Sequence, residues 1–291
     1  MDIILNDYSL DGQFNSIEDF VLWIHDEWMD MFSYLLEKKV NIYKKTDFYT
    51  RKVTKDKTLE DLLKISGDPL ISMIRTFIIK SAYSSPYWDE AGVGKTELNN
   101  TYKCPCEDEL PNCFSEAIER DKTVLSIKNN NYLDKYIFYY KNNEEGKLFN
   151  IVEYRSFLLW LLESEMADVK YVFENYGFDR DVTFVDIAGK CYAEEAIQHN
   201  NLTLGDKKNI LFNISNLIKS LSTGTKSRFV DKISDDLFEY RMSVSAGREF
   251  RLFFIQKDGV IAFLNGFIKK QQKTPDYELD KARMIKREFL Q

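Results

Sequence analysis

The sequence predicts an α+β protein in two parts: an acidic α+β region at residues 1–178, and a region at 179–291 in which a small antiparallel sheet packs on helices. Three observations carry this reading. Helical and strand periodicities alternate along the chain, with no internal repeat. The pattern changes near Val182, where two short helical stretches give way to three consecutive strand-like runs. The charge balance changes sign at the same place, with 18 Lys/Arg against 14 Asp/Glu from Thr183 onward and 22 against 33 before it.

In chain order, Ser16-Ile-Glu-Asp19 reads as the acidic form of a capping box. Phe20, Ile24, Trp28, Met31 and Leu35 follow at helical spacing, so a helix is expected over 17–38. A strand is expected over 40–49 and a short helix over 58–65. Pro69 suits a first helical position, and an apolar helix runs on over 70–83. Residues 84–112 hold Pro86, Gly92, Gly94, Pro105 and Pro111 and read as a long surface loop. A short helix at 113–120 and strands at 123–128 and 136–141 come next. Residues 152–176 read as one helix ending near Gly177. Beyond it, the reading gives a strand at 182–187, helices at 193–199 and 204–221, and strands at 237–244, 249–256 and 260–268. Lys257-Asp258-Gly259 suits a tight hairpin, because Asp-Gly accepts positive φ. Pro275 opens a final helix to Leu290.

The composition, 44% apolar and 30% charged, is that of a globular protein rather than a disordered or fibrous one. No apolar run reaches the ~18–20 residues of a membrane helix. The acidic start of the chain lacks the pattern of a secretory signal, so a cytoplasmic protein is expected. Reduced thiols are then expected at Cys104, Cys106, Cys113 and Cys191. The first three resemble the start of a zinc site but lack a nearby fourth ligand, and a loop with free thiols is the simpler account. Gly92-Val-Gly-Lys-Thr96 resembles the end of a phosphate-binding loop, yet Asp89 stands where the first Gly belongs. Only His25 and His199 are present, which leaves little support for histidine-based catalysis. The basic second region suits contact with nucleic acid, and the acidic first region suits covering it as an internal decoy.

Three stretches carry a family resemblance. Leu237-Phe-Glu-Tyr-Arg241 resembles L-W-E-L-R, and Arg248-Glu-Phe-Arg-Leu-Phe-Phe254 resembles R-x-Y-R-V-F-Y. Leu264-Asn-Gly-Phe-Ile-Lys-Lys-Gln-Gln-Lys-Thr-Pro275 resembles L-L-H-G-F-x-K-K-x-x-K-T-P. These are patterns of the RelE/ParE toxin superfamily, most closely of its phage-derived HigB-like branch. The resemblance is strong over 226–291 and weaker back to about Val182; the first 180 residues resemble no recognised family. Two departures stand out. Asn265 replaces a common His, and Phe253-Phe254 stands where the second position is often Tyr. If that hydroxyl contributes in relatives, activity here is lower.

The resemblance implies RNA cleavage without a metal or other cofactor, by attack of the substrate's 2′-hydroxyl on the adjacent phosphate. Such a site needs cations aimed at the charge that develops on phosphate oxygens. Arg suits this because its fork is planar and always charged, and Lys serves as acid or base when neighbouring cations lower its pKa. By motif position, Arg251 is the transition-state clamp, with Lys270 and Arg241 as its catalytic companions. Lys269 and Lys273 hold RNA or ribosomal phosphates, with Arg248, Arg228 and Lys232 as further phosphate contacts. Tyr240 or Tyr277 is a candidate to stack on a base or donate a hydroxyl. A strand Arg is commonly salt-bridged instead, and Glu239 or Glu249 is suited to be its partner. Lys281, Arg283, Lys286 and Arg287 read as a solvated helix face.

The expected function is a toxin-like endoribonuclease acting on mRNA on the ribosome, in a toxin–antitoxin or phage-defence setting. Its partners would be mRNA, the ribosome and an antitoxin protein, with no membrane. The first region would control the second, binding it in cis or docking a trigger protein. Two alternatives share the fold: a ParE-like poison of DNA gyrase, and a module that binds RNA or the ribosome without cutting.

Overall fold

The computed structural model describes residues 2–44, 46–84, 102–103, 112–141, 144–164, 168–199, 201–225, 227–234, 236–269 and 275–291. The chain is mixed α+β, with a sheet in its C-terminal part. It divides into two compact units, Met1–Trp160 and Leu161–Gln291. The division lies earlier than the expected boundary at 178/179. Val169 and Phe173 belong to the core of the second unit, and Phe173 lies 5.7 Å from Phe184 between ring centroids.

The first unit opens with β1 (Asp2–Asn6), a strand the periodicity did not reveal. Ile3, Ile4 and Leu5 are all buried, so the strand reads as a continuous apolar run with no alternation to detect. Helix α1 (Ile17–Glu37) follows, and its Ser16 cap accepts from the Asp19 backbone N–H at 3.1 Å. The expected strand at 40–49 shortens to β2 (Asn41–Lys44), followed by a 3₁₀ turn at Thr46–Thr50. Then come α2 (Leu59–Lys64), α3 (Pro69–Ser81), β3 (Ala82–Ser84), β4 (Tyr102–Lys103) and α4 (Asn112–Glu119). Strands β5 (Thr123–Ser126), β6 (Tyr136–Lys141) and β7 (Glu144–Ile151) lead into α5 (Tyr154–Glu163).

The described strands of this unit form one sheet in the order β3-β2-β1-β5-β7-β6-β4. The first five are mutually parallel, while β6 pairs antiparallel with both β7 and β4. A polar network crosses the carboxyl ends of the central strands. The Asn6 side chain donates to Ser126 Oγ at 3.0 Å, and Ser126 Oγ donates to Asn150 Oδ1 at 2.6 Å. All three are buried, and mutual hydrogen bonding is what makes their burial tolerable.

The second unit contains α6 (Val169–Asn175), β8 (Val182–Phe184), the small hairpin β9 (Asp186–Ile187) and β10 (Lys190–Cys191), then α7 (Tyr192–Ile197) and α8 (Leu204–Ser222). The expected single helix at 152–176 is thus α5 and α6, and α6 restarts at Asp168, whose carboxylate accepts from the Tyr171 N–H at 3.0 Å. Strands β11 (Val230–Lys232), β12 (Leu237–Val244), β13 (Arg248–Lys257) and β14 (Val260–Lys269) lead to α9 (Asp276–Phe289). The sheet order is β11-β12-β13-β14-β8, antiparallel except for the β14–β8 pair. Asp258 and Gly259 adopt φ values of 51° and 88°, the hairpin geometry their types favour.

Each sheet face has its own core. Tyr240, Leu252, Phe254 and Phe263 join Ile210, Ile214 and Ile218 of α8 on one face. Leu237, Phe253, Ile255 and Leu264 join Ala282 and Ile285 of α9 on the other. Gly266 is required by close packing, because a Cβ there would meet the Phe250 ring at 2.9 Å and Ala196 of α7 at 3.2 Å.

Candidate functional site

Strand alternation positions the candidate residues. Opposed residues in β12, β13 and β14 share a face, and α9 covers only part of that face with apolar contacts. Beyond the apolar part, two rows remain: Ser243, Glu249 and Lys269, then Arg241, Arg251 and Phe267. Arg241 and Arg251 are direct cross-strand neighbours, and Lys269 stands opposite Glu249 at the end of β14.

Arg251 is buried, with 7% of its surface exposed. Its Nε donates to Glu249 Oε1 at 2.7 Å, and another guanidinium nitrogen donates to Glu239 Oε2 at 2.8 Å. The charge expected to clamp a phosphate is therefore held between two carboxylates. Glu249, 34% exposed in its side chain, is the one open to exchange, whereas the Glu239 side chain is 3% exposed. Arg241, with 35% of its side chain exposed, donates to Asp231 Oδ1 at 3.0 Å. Its buried Nε has no hydrogen-bond partner, which leaves one donor of this guanidinium unused. The carboxylates Glu239 and Glu249, which the sequence reading gave only as suited salt-bridge partners, and Asp231, to which it gave no role, lie against these guanidinium groups. Their signal was the two-residue spacing of Glu239 from Arg241 and of Glu249 from Arg251.

The remaining candidates separate. Arg248 lies on the opposite alternation phase from Arg251 and straps a turn, donating to Asn201 O at 2.9 Å and Ser245 O at 3.1 Å. This argues for a structural role in place of the expected phosphate contact. Lys232 opposes Phe238, the phase away from Glu239 and Arg241. Arg228 precedes β11 and lies over the Phe229 ring at 4.8 Å. Tyr240 is buried, which removes it as a stacking platform and pushes its hydroxyl pKa up; Tyr277 is exposed. Lys270 and Lys273 lie outside the described residues, as do Cys104, Cys106 and the 92–96 segment.

Asn265, where relatives commonly carry His, points into α9. Its side-chain amide donates to Glu278 Oε2 at 3.0 Å and to Glu278 O at 3.3 Å. Phe253 and Phe254 are both fully buried, so the missing hydroxyl would have no solvent-facing place at either position. Among the described residues, no group of three or more His, Cys, Asp or Glu side chains could hold a metal. Cys113 instead donates to buried Asn6 Oδ1 at 3.5 Å, and burial pushes the Cys191 thiol up to about 11.

Residues 200–287 match the model of the phage-derived Gp49-like family (DUF891). That family is related to RelE-type toxins. The matched segment runs from the start of α8 through most of α9 and includes the whole charged face. No match is found among curated proteins. No helix among the described residues is long and apolar enough to cross a membrane.

Proposed function

We propose that the C-terminal unit is a toxin-type endoribonuclease that cleaves translated mRNA on the ribosome, held in check by the N-terminal unit and by an antitoxin protein. The observation that carries this is the grouping of Arg241, Arg251 and nearby Lys269 on one face of the sheet in a Gp49-like segment, with Arg241 and Lys269 partly open to solvent. Arg241 and Lys269 bind the phosphates flanking the scissile bond. The scissile phosphate then takes the place of Glu249 at Arg251, whose guanidinium stabilises the charge added by 2′-hydroxyl attack. The released Glu249 carboxylate accepts the 2′-hydroxyl proton. Lys270 protonates the leaving 5′-oxygen, and Lys273 adds a further phosphate contact. The mechanism needs no metal, and it fits a cytoplasmic role in phage defence or toxin–antitoxin control.

Induced expression of the full chain, with transcript ends mapped genome-wide, tests it. Arg251→Ala is a poor first probe, since it strands Glu239 in the interior at a cost of about 3–5 kcal/mol. Arg241→Ala with Lys269→Ala, both partly exposed, is the better one. The parent chain is expected to create new ends inside translated frames, and the double variant to lose them at unchanged melting temperature. DNA breaks without new transcript ends would instead indicate gyrase poisoning. Ribosome binding without any cut would indicate a module that binds only.

A further inference from the structure

The antiparallel end of the first unit's sheet presents aromatic rings to solvent. Along β6, Tyr136, Phe138 and Tyr140 share one face, and the register adds Phe149, Lys147 and Glu145 of β7 to it. Phe138 is 46% exposed and Tyr140 42%. The opposite face is the buried one: Ile137 and Leu148 pack on Phe114 and Ala117 of α4. Two exposed rings, Phe138 and Tyr140, beside the half-buried Tyr136 and Phe149, on a face where polar residues are usual, call for a reason.

Two lysines are placed among the rings. Lys147 Nζ lies 4.5 Å from the Tyr136 ring centroid, and Lys135 Nζ lies 5.0 Å from Tyr136 and 5.2 Å from Phe149. Tyr136 and Phe149 themselves meet edge to face at 5.4 Å. Rings two residues apart on a strand stand roughly 6.7 Å apart, about twice the ~3.4 Å rise of a stacked nucleic-acid strand. We propose that this ladder is a binding surface for single-stranded RNA, with bases stacked on Phe138 and Tyr140 and phosphates held by Lys135 and Lys147. Rings give sequence-tolerant stacking, and ammonium groups beside them give the phosphate contacts that such sites combine with it. A protein partner is the other occupant of aromatic surfaces, and the two-residue ring spacing with two lysines at the Tyr136 end favours the polynucleotide. The surface shares no residue with the charged face of the C-terminal unit and requires no cleavage there.

The test is binding of a fluorescein-labelled 12-nucleotide oligouridylate to the full chain, read by anisotropy across a salt series. Phe138→Ala with Tyr140→Ala is expected to weaken binding at least tenfold. Phe138→Tyr with Tyr140→Phe should restore it, since rings remain. Lys135→Ala with Lys147→Ala should flatten the salt dependence. Arg241→Ala with Lys269→Ala weakens the proposed cleavage site and should leave the ring-dependent part of binding intact, which separates failure of this surface from failure of that site. Equal affinity of the ring-less and parent chains, at equal melting temperature, overturns the proposal. So does absence of oligonucleotide binding by the parent chain across the salt series, which would leave the surface to a protein partner.

Discussion

Single residues show how much burial changes the meaning of a charge. Arg251 and Arg248 are three positions apart in one strand, yet one is enclosed by two carboxylates and the other straps a turn. Lys44 is the sharper case. It is buried at the end of β2, where its Nζ donates to the Tyr49 hydroxyl and, at 3.4 Å, to Ile78 O. Burial lowers its pKa from 10.5 to about 8. The unfolded chain keeps this proton up to 10.5 while the folded chain releases it near 8, so the unfolded state binds more protons between those values. Stability is therefore expected to rise as pH climbs through that window. Lys44→Met should remove the slope and stabilise the protein at pH 7, by up to about 3 kcal/mol. Urea unfolding of both proteins at pH 7 and pH 10 measures this, and an unchanged slope in the variant would place its origin elsewhere.

Among the elements, α8 and the β12–β13 turn are joined by one carboxylate. Asp206 completes a capping box with Thr203 and also accepts from the Ser245 N–H at 2.6 Å and the Ser245 hydroxyl at 2.7 Å. The turn it holds is strained, with Ala246 at φ 59°. The hydrogen bonds from Ser245, foremost its backbone N–H, hold the Asp206 carboxyl far below the usual range. A depressed carboxyl contributes stability that is present above its unfolded pKa and is lost as pH falls toward its folded value. Asp206→Asn is expected to destabilise at neutral pH and to have progressively less effect in acid. Melting temperatures from pH 7 down to pH 2 check it, and a pH-independent gap would mean the carboxylate charge is immaterial. The element also bears on the site, because β12 and β13 leave this turn in the register that sets Arg241 opposite Arg251.

At the scale of the whole molecule, the acidic residues concentrate before Thr183 and the basic excess after it. If the first unit restrains the second, residues 161–291 expressed alone should be more toxic to cells than the whole chain at equal soluble level. Growth curves after induction measure this, and equal toxicity would assign the first unit a role other than restraint. Each unit has its own sheet and its own hydrophobic clusters, which gives each the parts of an independently folding domain.

The sequence by itself determined the C-terminal sheet closely. The runs at 237–244 and 260–268 appear as β12 and β14 within a residue at their ends, because alternation and an Asp-Gly turn are local signals. It also determined α1, α3 and α8, whose observed starts fall at the expected residues. Alternation further implied that Arg251 and Glu249 share a face, and Glu249 and Glu239 were suited to salt-bridge it. Only the tertiary structure decided that both carboxylates close on the same guanidinium, since Glu239 arrives from another strand. Only it decided that β1 is a strand, because a segment buried on both faces carries no period. The pairing of β6 with β7, which exposes one ladder of rings, was equally non-local, since register belongs to two segments at once and to neither alone.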